Sequence, residues 1–346
     1  MRVLYLGGAH PSSTSRHRAD ALRRLGCAVT HLDPQEAIAA QTKGRWLGAL
    51  HYRTGYSLTR AVVESWLQRQ LHGKDRFDLC WVDSGELLGP KAIADLRDRA
   101  GYVVLFNHDD PSGPRDRLRF MTLRAAIAQY SLCVVVRDIN VAEFQSLGAR
   151  DVMRVWMSYD EMAHRPLSPQ APVADIYRND VVFIGRCMKG EGRDVLMHAL
   201  IEQGIKPAIW GDNWFSSAVW PALQPYWRGA ALSGQDYVDA LRGAQICIGM
   251  LSKGNRDRHT TRTMEIPAAG GLLCAERTDE HLQLYVENEE AVFWDDAREC
   301  AALCKRLLAD PALARNIRLA GQRRLLANQV GNEDICRAVF KRLNLA

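Results

Sequence analysis

No run of about 18 apolar residues occurs anywhere in the chain, so a membrane-spanning helix is not expected. The start, "MRVLYLGG", has neither the apolar core nor the small-residue cleavage site of a secretion signal. Cys27, Cys80, Cys133, Cys187, Cys247, Cys274, Cys300, Cys304 and Cys336 are scattered, and none forms a CxxC pair. Most stand in apolar runs, where a thiol behaves as a small hydrophobe. Reduced thiols, a cytoplasmic location and no zinc site are therefore expected. HExxH, P-loop and nucleophile-elbow patterns are absent. So is GxGxxG: "GGAHPS" lacks the later glycines, and Asp33 at the end of the next strand is a weak signal alone. No DxD ends a strand, and no metal ligands are predicted.

What is present is ordinary globular composition. The 346 residues are 47% hydrophobic and 25% charged, more than one core usually holds and suited to two. The formal charge is +5, and residues 1–165 carry all of the excess, with 23 Lys and Arg against 18 Asp and Glu. That leaves peripheral contact with anionic lipid or an acidic acceptor open. The arginines alternate with acids and make no continuous stripe, so nucleic acid is not an expected partner.

Along the chain, "MRVLYLGG", "CAVTHLD", "FDLCWVD", "GYVVLFN" and "LCVVVRD" read as strands separated by helical stretches. Residues 40–75 form a less regular, mostly helical insertion with Trp46, Tyr52, Tyr56 and Trp66. A Pro-rich linker follows at 166–179. Alternation then resumes through "DVVFIGR", "KPAIWG", "ICIGML" and "GLLCAE", and the chain is almost all helix from Arg298. The predicted class is α/β, with two Rossmann-like parallel-sheet domains facing a cleft. Residues 1–165 form one domain and 180–325 the other. Residues 326–346 make a last helix whose Ile335, Val339 and Leu343 form one stripe, expected to cross back to the first domain.

The segment "RDRHTTRTMEIPAAGG", Arg256 to Gly271, follows the strand "ICIGML" and opens a helix capped by Thr260 or Thr261. A helix N-terminus attracts anions, and Lys253, Arg256, Arg258 and Arg262 add mobile positive charge. A diphosphate suits that environment, and Glu265 could accept hydrogen bonds from ribose hydroxyls. A first-turn acid favoured by the helix dipole, beside a solvated basic loop, would read the same way.

"RHTTRTMEIPAAGGLLCAERTDEHLQLY" resembles the donor-binding segment of group 1 glycosyltransferases of the GT-B fold, most closely the CgeB-like spore-maturation branch. The resemblance implies that Glu265 binds the nucleotide ribose and that Asp257, eight residues earlier, takes the sugar-side position usually held by glutamate. "DVVFIGRCMKGEGRDVLMHALIEQG" is similar to the first strand, turn and helix of the donor domain, which implies diphosphate contacts from Arg186, Lys189 and Arg193. Arg193 could equally cap its own helix. "IWGDNW" matches the branch's Trp-Gly strand end with Gly211, near the base, although its tryptophans serve a core as well as a base platform.

The first half resembles the branch more loosely, and the resemblance gives it the acceptor. Gly7 and Gly8 offer a turn where donor phosphate and acceptor approach the backbone, and Arg16 and His17 open the next helix. In "FNHDDPSGP", His108, Asp109 and Asp110 end a strand and are the candidate catalytic groups. A satisfied turn before Pro111 is the alternative. Together these imply a glycosyltransferase using a nucleotide-diphosphate sugar and an unidentified acceptor, metal-independent and retaining, with no tightly bound cofactor. A nucleotide-sugar epimerase or a non-catalytic nucleotide-sugar binder on the same fold remains the rival reading.

Overall fold

The computed structural model describes all residues except 41, 43, 44, 169, 171 and 346, and the side chain of Arg45 is likewise outside the description. Parts of the expected insertion (40–75), linker (166–179) and last helix (326–346) therefore lie outside the described residues. The chain divides into two compact units. Unit 1 is Met1–Trp156 with Gly254–Arg256 and Ile335–Ala346, and unit 2 is Met157–Lys253 with Asp257–Asp334.

Unit 1 contains strands β1 (Arg2–Leu6), β2 (Ala28–Leu32), β3 (Phe77–Asp83), β4 (Ala100–Asn107), β5 (Leu132–Val135) and β6 (Val152–Arg154). They form one parallel sheet in the order β2-β1-β3-β4-β5-β6. Strands such as "FDLCWVD" are near-continuously apolar because helical crossovers cover a parallel sheet on both faces, and all but one residue of β3 is buried. Leu4, Leu6, Val82, Val103 and Leu105 pack with Ile93, Leu96 and Phe144 into one core.

Unit 2 contains β7 (Asn179–Ile184), β8 (Pro207–Trp210), β9 (Trp227–Gly229), β10 (Ala244–Gly249), β11 (Leu273–Glu276) and β12 (Val292–Trp294). These too are parallel, in the order β12-β11-β10-β7-β8-β9. Val181, Phe183, Ile246 and Ile248 pack against Leu196, Leu200, Cys304 and Ile317. The apolar stripe Ile335, Val339 and Leu343 is buried, and Arg342 next to it makes a two-pronged ion pair with Asp151 of unit 1.

Each strand order has one reversal. In unit 1 successive crossovers leave β1 in opposite directions, so β1 and β3 flank the switch point. In unit 2 the switch lies between β7 and β10. Outside the carboxyl ends of such a pair the loops diverge, and the gap they leave is the usual place for a ligand.

Gly211, just after β8, closes one of these loops. Its N–H donates to Gly229 O (2.9 Å), its φ is +137°, and a Cβ there would fall 2.2 Å from Gly185 O. Both the dihedral and the backbone clash exclude a side chain. Gly211→Ala should therefore destabilise the fold by roughly 2–4 kcal/mol with an unchanged urea m-value. An unshifted urea midpoint would show that the turn relaxes freely.

Candidate active site

In unit 2 the helix Thr261–Ala269 starts just beyond the switch-point strand β10. Thr260 sits before it in extended conformation, and its N–H donates to Thr263 Oγ1 (3.1 Å). No acid stands in the first turn, so the helix dipole does not account for Glu265, which lies in the second turn. Glu265 is only 3% exposed. Arg262 Nη1 donates to its Oε2 (2.6 Å), Tyr237 OH donates to the same oxygen (2.7 Å), and His164 Nε2 stands 3.6 Å from Oε1. The His164 Nδ1 accepts from Asp160 N–H (2.8 Å), which leaves a neutral ring's proton on Nε2, facing Glu265. Burial opposes ionisation of Glu265, but Arg262, His164 and Tyr237 outweigh it and hold the carboxyl below its usual range.

Arg193 opens the helix Arg193–Glu202 after β7. Its Nη1 donates to Arg186 O (3.0 Å) and its Nη2 to Leu251 O (3.4 Å), so its fork spans the ends of β7 and β10. Its buried Nε has no partner, and among the described residues it forms no ion pair. Arg262 Nε reaches Ile184 O, the last residue of β7 (3.4 Å). Two guanidiniums thus meet at the switch point. Burial lowers the Arg193 pKa, and Arg262 adds to this while Glu191 opposes it.

The remaining basic residues are less mobile than the sequence suggested. Arg256 has φ +54°, and its loop Gly254–Arg256 counts with unit 1. Its guanidinium binds both oxygens of Asp110 (2.6 and 2.6 Å) and both of Glu143 (2.8 and 2.9 Å). Arg258 is paired with Asp279 (2.7 Å), and the Lys253 ammonium lies 3.6 Å from Glu276. His259 is buried, accepting from Met157 N–H (2.9 Å) and paired with Glu280 (2.5 Å). Arg186 and Lys189 are exposed, with Arg186 3.8 Å from Asp212. Asp257 is buried in the loop, and Thr261 is the first helical residue. Trp214 belongs to the core, with its Nε1 donating to Gly185 O (2.9 Å).

Unit 1 holds a pocket of about 230 Å³ at its own switch point. Gly7 and Gly8 after β1, Asp83 to Leu88 after β3, and His108 and Asp109 after β4 line it, together with Asp33 and Arg119. A Cβ on Gly7 would lie 2.3 Å from Ser15 Oγ, so the first turn requires glycine. Asp83 is buried between Tyr5 OH (2.7 Å) and Arg18 Nε (3.1 Å), and His108 Nδ1 stands 4.0 Å away with no hydrogen bond of its own. Ser84 adopts φ +67° and its buried Oγ is unpartnered. Arg119 binds Glu86 (2.5 Å) and lies 3.8 Å from Asp109. Burial raises the Glu86 carboxyl above its usual range against the pull of Arg119.

The three residues of "HDD" therefore separate. His108 and Asp109 line the pocket, whereas Asp110 does not: both its oxygens are taken by Arg256, and Oδ1 also accepts from Asn140 (2.9 Å). Arg16 is paired with Asp20 on its own helix (2.9 Å), and neither it nor His17 lines the pocket. Asp83, Ser84, Glu86 and Arg119 were not singled out from the sequence. The signal available was "VDSGE", a strand end carrying polar residues and a glycine.

Among the described residues one group of metal-ligating type stands out. Cys274, Cys300 and Cys304 meet in the core of unit 2 with their sulfurs within 4.8 Å of one another. The two helical thiols are one turn apart and face the strand thiol, a proximity that sequence spacing hid.

Asp110 is 1% exposed, so Arg256→Ala would leave a buried carboxylate without its cation, at a cost of about 3–5 kcal/mol in chemical denaturation. Arg258→Ala, at an exposed pair, should stay within about 0.5 kcal/mol. Equal effects would remove the distinction. Hydrogen bonds from Arg256, then Ser112 and Asn140, lower Glu143 from 4.5 to about 2. Its contribution is present above pH 4.5 and is lost as pH falls towards 2, so acid unfolding of Glu143→Gln should be flatter over that range.

Residues 193–333, less than half of the chain, match the sequence model of a family described as glycosyl transferase-like. No curated protein matches the chain by sequence. Solved structures match its fold end to end. Sucrose-phosphate synthase from Thermosynechococcus elongatus gives a TM-score of 0.70 at 14% identity, covering 99% of each chain. Anabaena Alr3699/HepE in complex with UDP-glucose gives 0.65 at 14% identity, covering 100% of each. The E. coli trehalose-6-phosphate structure bound with UDP-2-fluoro glucose gives 0.64 at 15%, covering 98% of each. The chain thus has the GT-B fold: two six-stranded parallel sheets, with a glycosyl transferase-like segment in the second.

Proposed function

We propose that this protein is a glycosyltransferase that takes its sugar from a nucleoside-diphosphate donor bound on unit 2. The observation that carries the reading is the guanidinium of Arg193. It is half-buried, held by two carbonyls and by no carboxylate among the described residues, and lies beside Arg262 at the β7/β10 switch point. Glu265 is already paired with Arg262, and Glu191 and Glu276 act on Arg193 only through space, so a diphosphate would give the Arg193 guanidinium a direct anionic partner. As the glycosidic bond breaks, charge accumulates on the leaving diphosphate, and fixed guanidiniums stabilise it without reorganisation. On this reading the transfer needs no metal, and the resemblance to the group 1 enzymes makes it retaining. The branch assignment, CgeB-like, rests on Arg193 and on the Thr260, Arg262 and Glu265 pattern.

Glu265 is the candidate ribose contact. Its Oε2 is committed to Arg262 and Tyr237, so Oε1, faced by His164, is the oxygen available to a hydroxyl. Lys189, Lys253, Thr260 and Thr261 belong to the same loops, and Arg186 and Asp257 take the roles that the resemblance gives them. In unit 1 the pocket at the β1/β3 switch point is the candidate acceptor site. Asp109 and His108 are placed to orient or deprotonate an acceptor hydroxyl, and Asp110 acts only by fixing Arg256. HepE and the E. coli structure hold UDP-glucose and UDP-2-fluoro glucose, so a uridine donor is the first to test.

Calorimetry with UDP and UDP-glucose checks the donor site. Arg193→Ala should weaken binding by about 1.5–3 kcal/mol while leaving the melting temperature nearly unchanged. Unaltered affinity in a folded variant would refute the diphosphate assignment.

Asp109→Asn should lower turnover ~10²-fold with donor affinity intact, whereas Asp110→Asn should act on stability. Turnover in Asp109→Asn equal to wild type would remove its chemical role. Interconversion of the free nucleotide sugar without any acceptor would favour an epimerase instead.

A further inference from the structure

Unit 1 carries an apolar surface remote in kind from the polar chemistry of its pocket. The helix Arg45–Arg53, "RWLGALHYR", exposes Trp46, Leu47 and Leu50, with Trp46 81% exposed, while His51 is buried. Positions 46, 47 and 50 fall on one helical face. The end of this helix is tied down: Tyr52 OH donates to Asp116 Oδ1 (2.5 Å) and Thr122 Oγ1 to Gly55 O (2.5 Å). A Cβ on Gly55 would lie 2.5 Å from Leu118 O and 2.7 Å from Met121 Cβ, so the segment carrying exposed Leu118 and Met121 adjoins the helix end. Leu58, in the following turn, is exposed as well.

The sequence that carries this helix is basic. From Ala37 to Val63 the sequence has no Asp or Glu, against Lys43, Arg45, Arg53 and Arg60. The adjoining segment adds exposed Arg117, while its one acid, Asp116, is buried and bound by Tyr52 and Arg115.

We propose that this face docks on a membrane surface containing anionic lipid. A fixed patch of Trp and Leu on a water-facing helix, with exposed Leu118 and Met121 on the adjoining segment, marks an interaction surface. A short helix with one apolar face and flanking cations suits the headgroup boundary, where Trp partitions favourably and Lys and Arg meet lipid phosphate. The uneven charge supplies the argument for lipid over a neutral partner: Arg53 and Arg117 are exposed beside the apolar residues, and the nearby Asp116 is buried and paired. The inference stands on this surface alone and is independent of the transferase reading.

The test is sedimentation of the full-length protein with vesicles of phosphatidylcholine, with and without phosphatidylglycerol. Binding to the anionic vesicles should be at least ~10-fold tighter than to neutral ones and should weaken at ~0.5 M salt. The double variant Trp46→Ser/Leu50→Ser should lose about tenfold in partition while keeping its circular dichroism and melting temperature. If that variant does not fold, Arg53→Gln/Arg117→Gln should still weaken binding to anionic vesicles selectively. No binding, equal binding to both vesicle types, or unchanged binding by the variants would overturn the proposal. So would a wild-type dimer in light scattering that Trp46→Ser/Leu50→Ser dissociates, because the face would then belong to a second copy of the chain.

Discussion

A carboxylate taken out of water must find its charge balance locally, and Glu265 sets that condition for unit 2. Its two-donor grip from Arg262 and Tyr237 fixes the Arg262 guanidinium at the end of β7. The Tyr237 ring, buried on the helix Gly234–Gly243, lies under the same guanidinium at 4.9 Å. His281 then seats the helix start: its Nε2 accepts from Thr263 Oγ1 (2.9 Å) and its Nδ1 lies on Glu276 O (2.6 Å). Burial pushes this histidine down to about 4, so it is neutral at physiological pH and adds no charge of its own. Pro267 in the interior of the helix Thr261–Ala269 cannot donate to Thr263 O, and Tyr285 OH donates to that carbonyl in its place (2.9 Å).

Much of the fold was legible because parallel strands buried on both faces are written as apolar runs between helical periods. Of the strands of five residues or more, all but the edge strand β2 were visible that way; β2 is exposed or half-buried throughout and was read from the helix and glycine before it. The three missed strands, β6, β9 and β12, have three residues each and sit at sheet edges, where too few positions exist to establish a pattern. The reversal of strand order was not written in any local pattern either, since it depends on which neighbour each strand pairs with. It is this reversal that locates both candidate sites.

Side-chain partnerships were the least legible level. Arg256, Arg258 and Arg262 look alike in sequence, yet one is bound by two acids from residues 110 and 143, one by a helix-start aspartate, and one by Glu265. Asp109 and Asp110 are adjacent and point to different tasks, as neighbours beyond a strand end do when the chain turns. Composition counts the charges in a loop, but only tertiary structure says which of them are already spent. The acid that burial perturbs most visibly in the unit 1 pocket, Glu86, stands in a stretch whose only signal is a strand end with polar residues and a glycine.

The carbonyl-held guanidinium of Arg193 has a consequence for the protein without its substrate. On the proposed reading, a cation desolvated in this way receives any small oxyanion of matching size. Whatever fills it favours the folded state by mass action. The heat resistance of a preparation will accordingly follow the identity of the buffer anion, with phosphate or sulfate protecting where chloride at equal ionic strength does not.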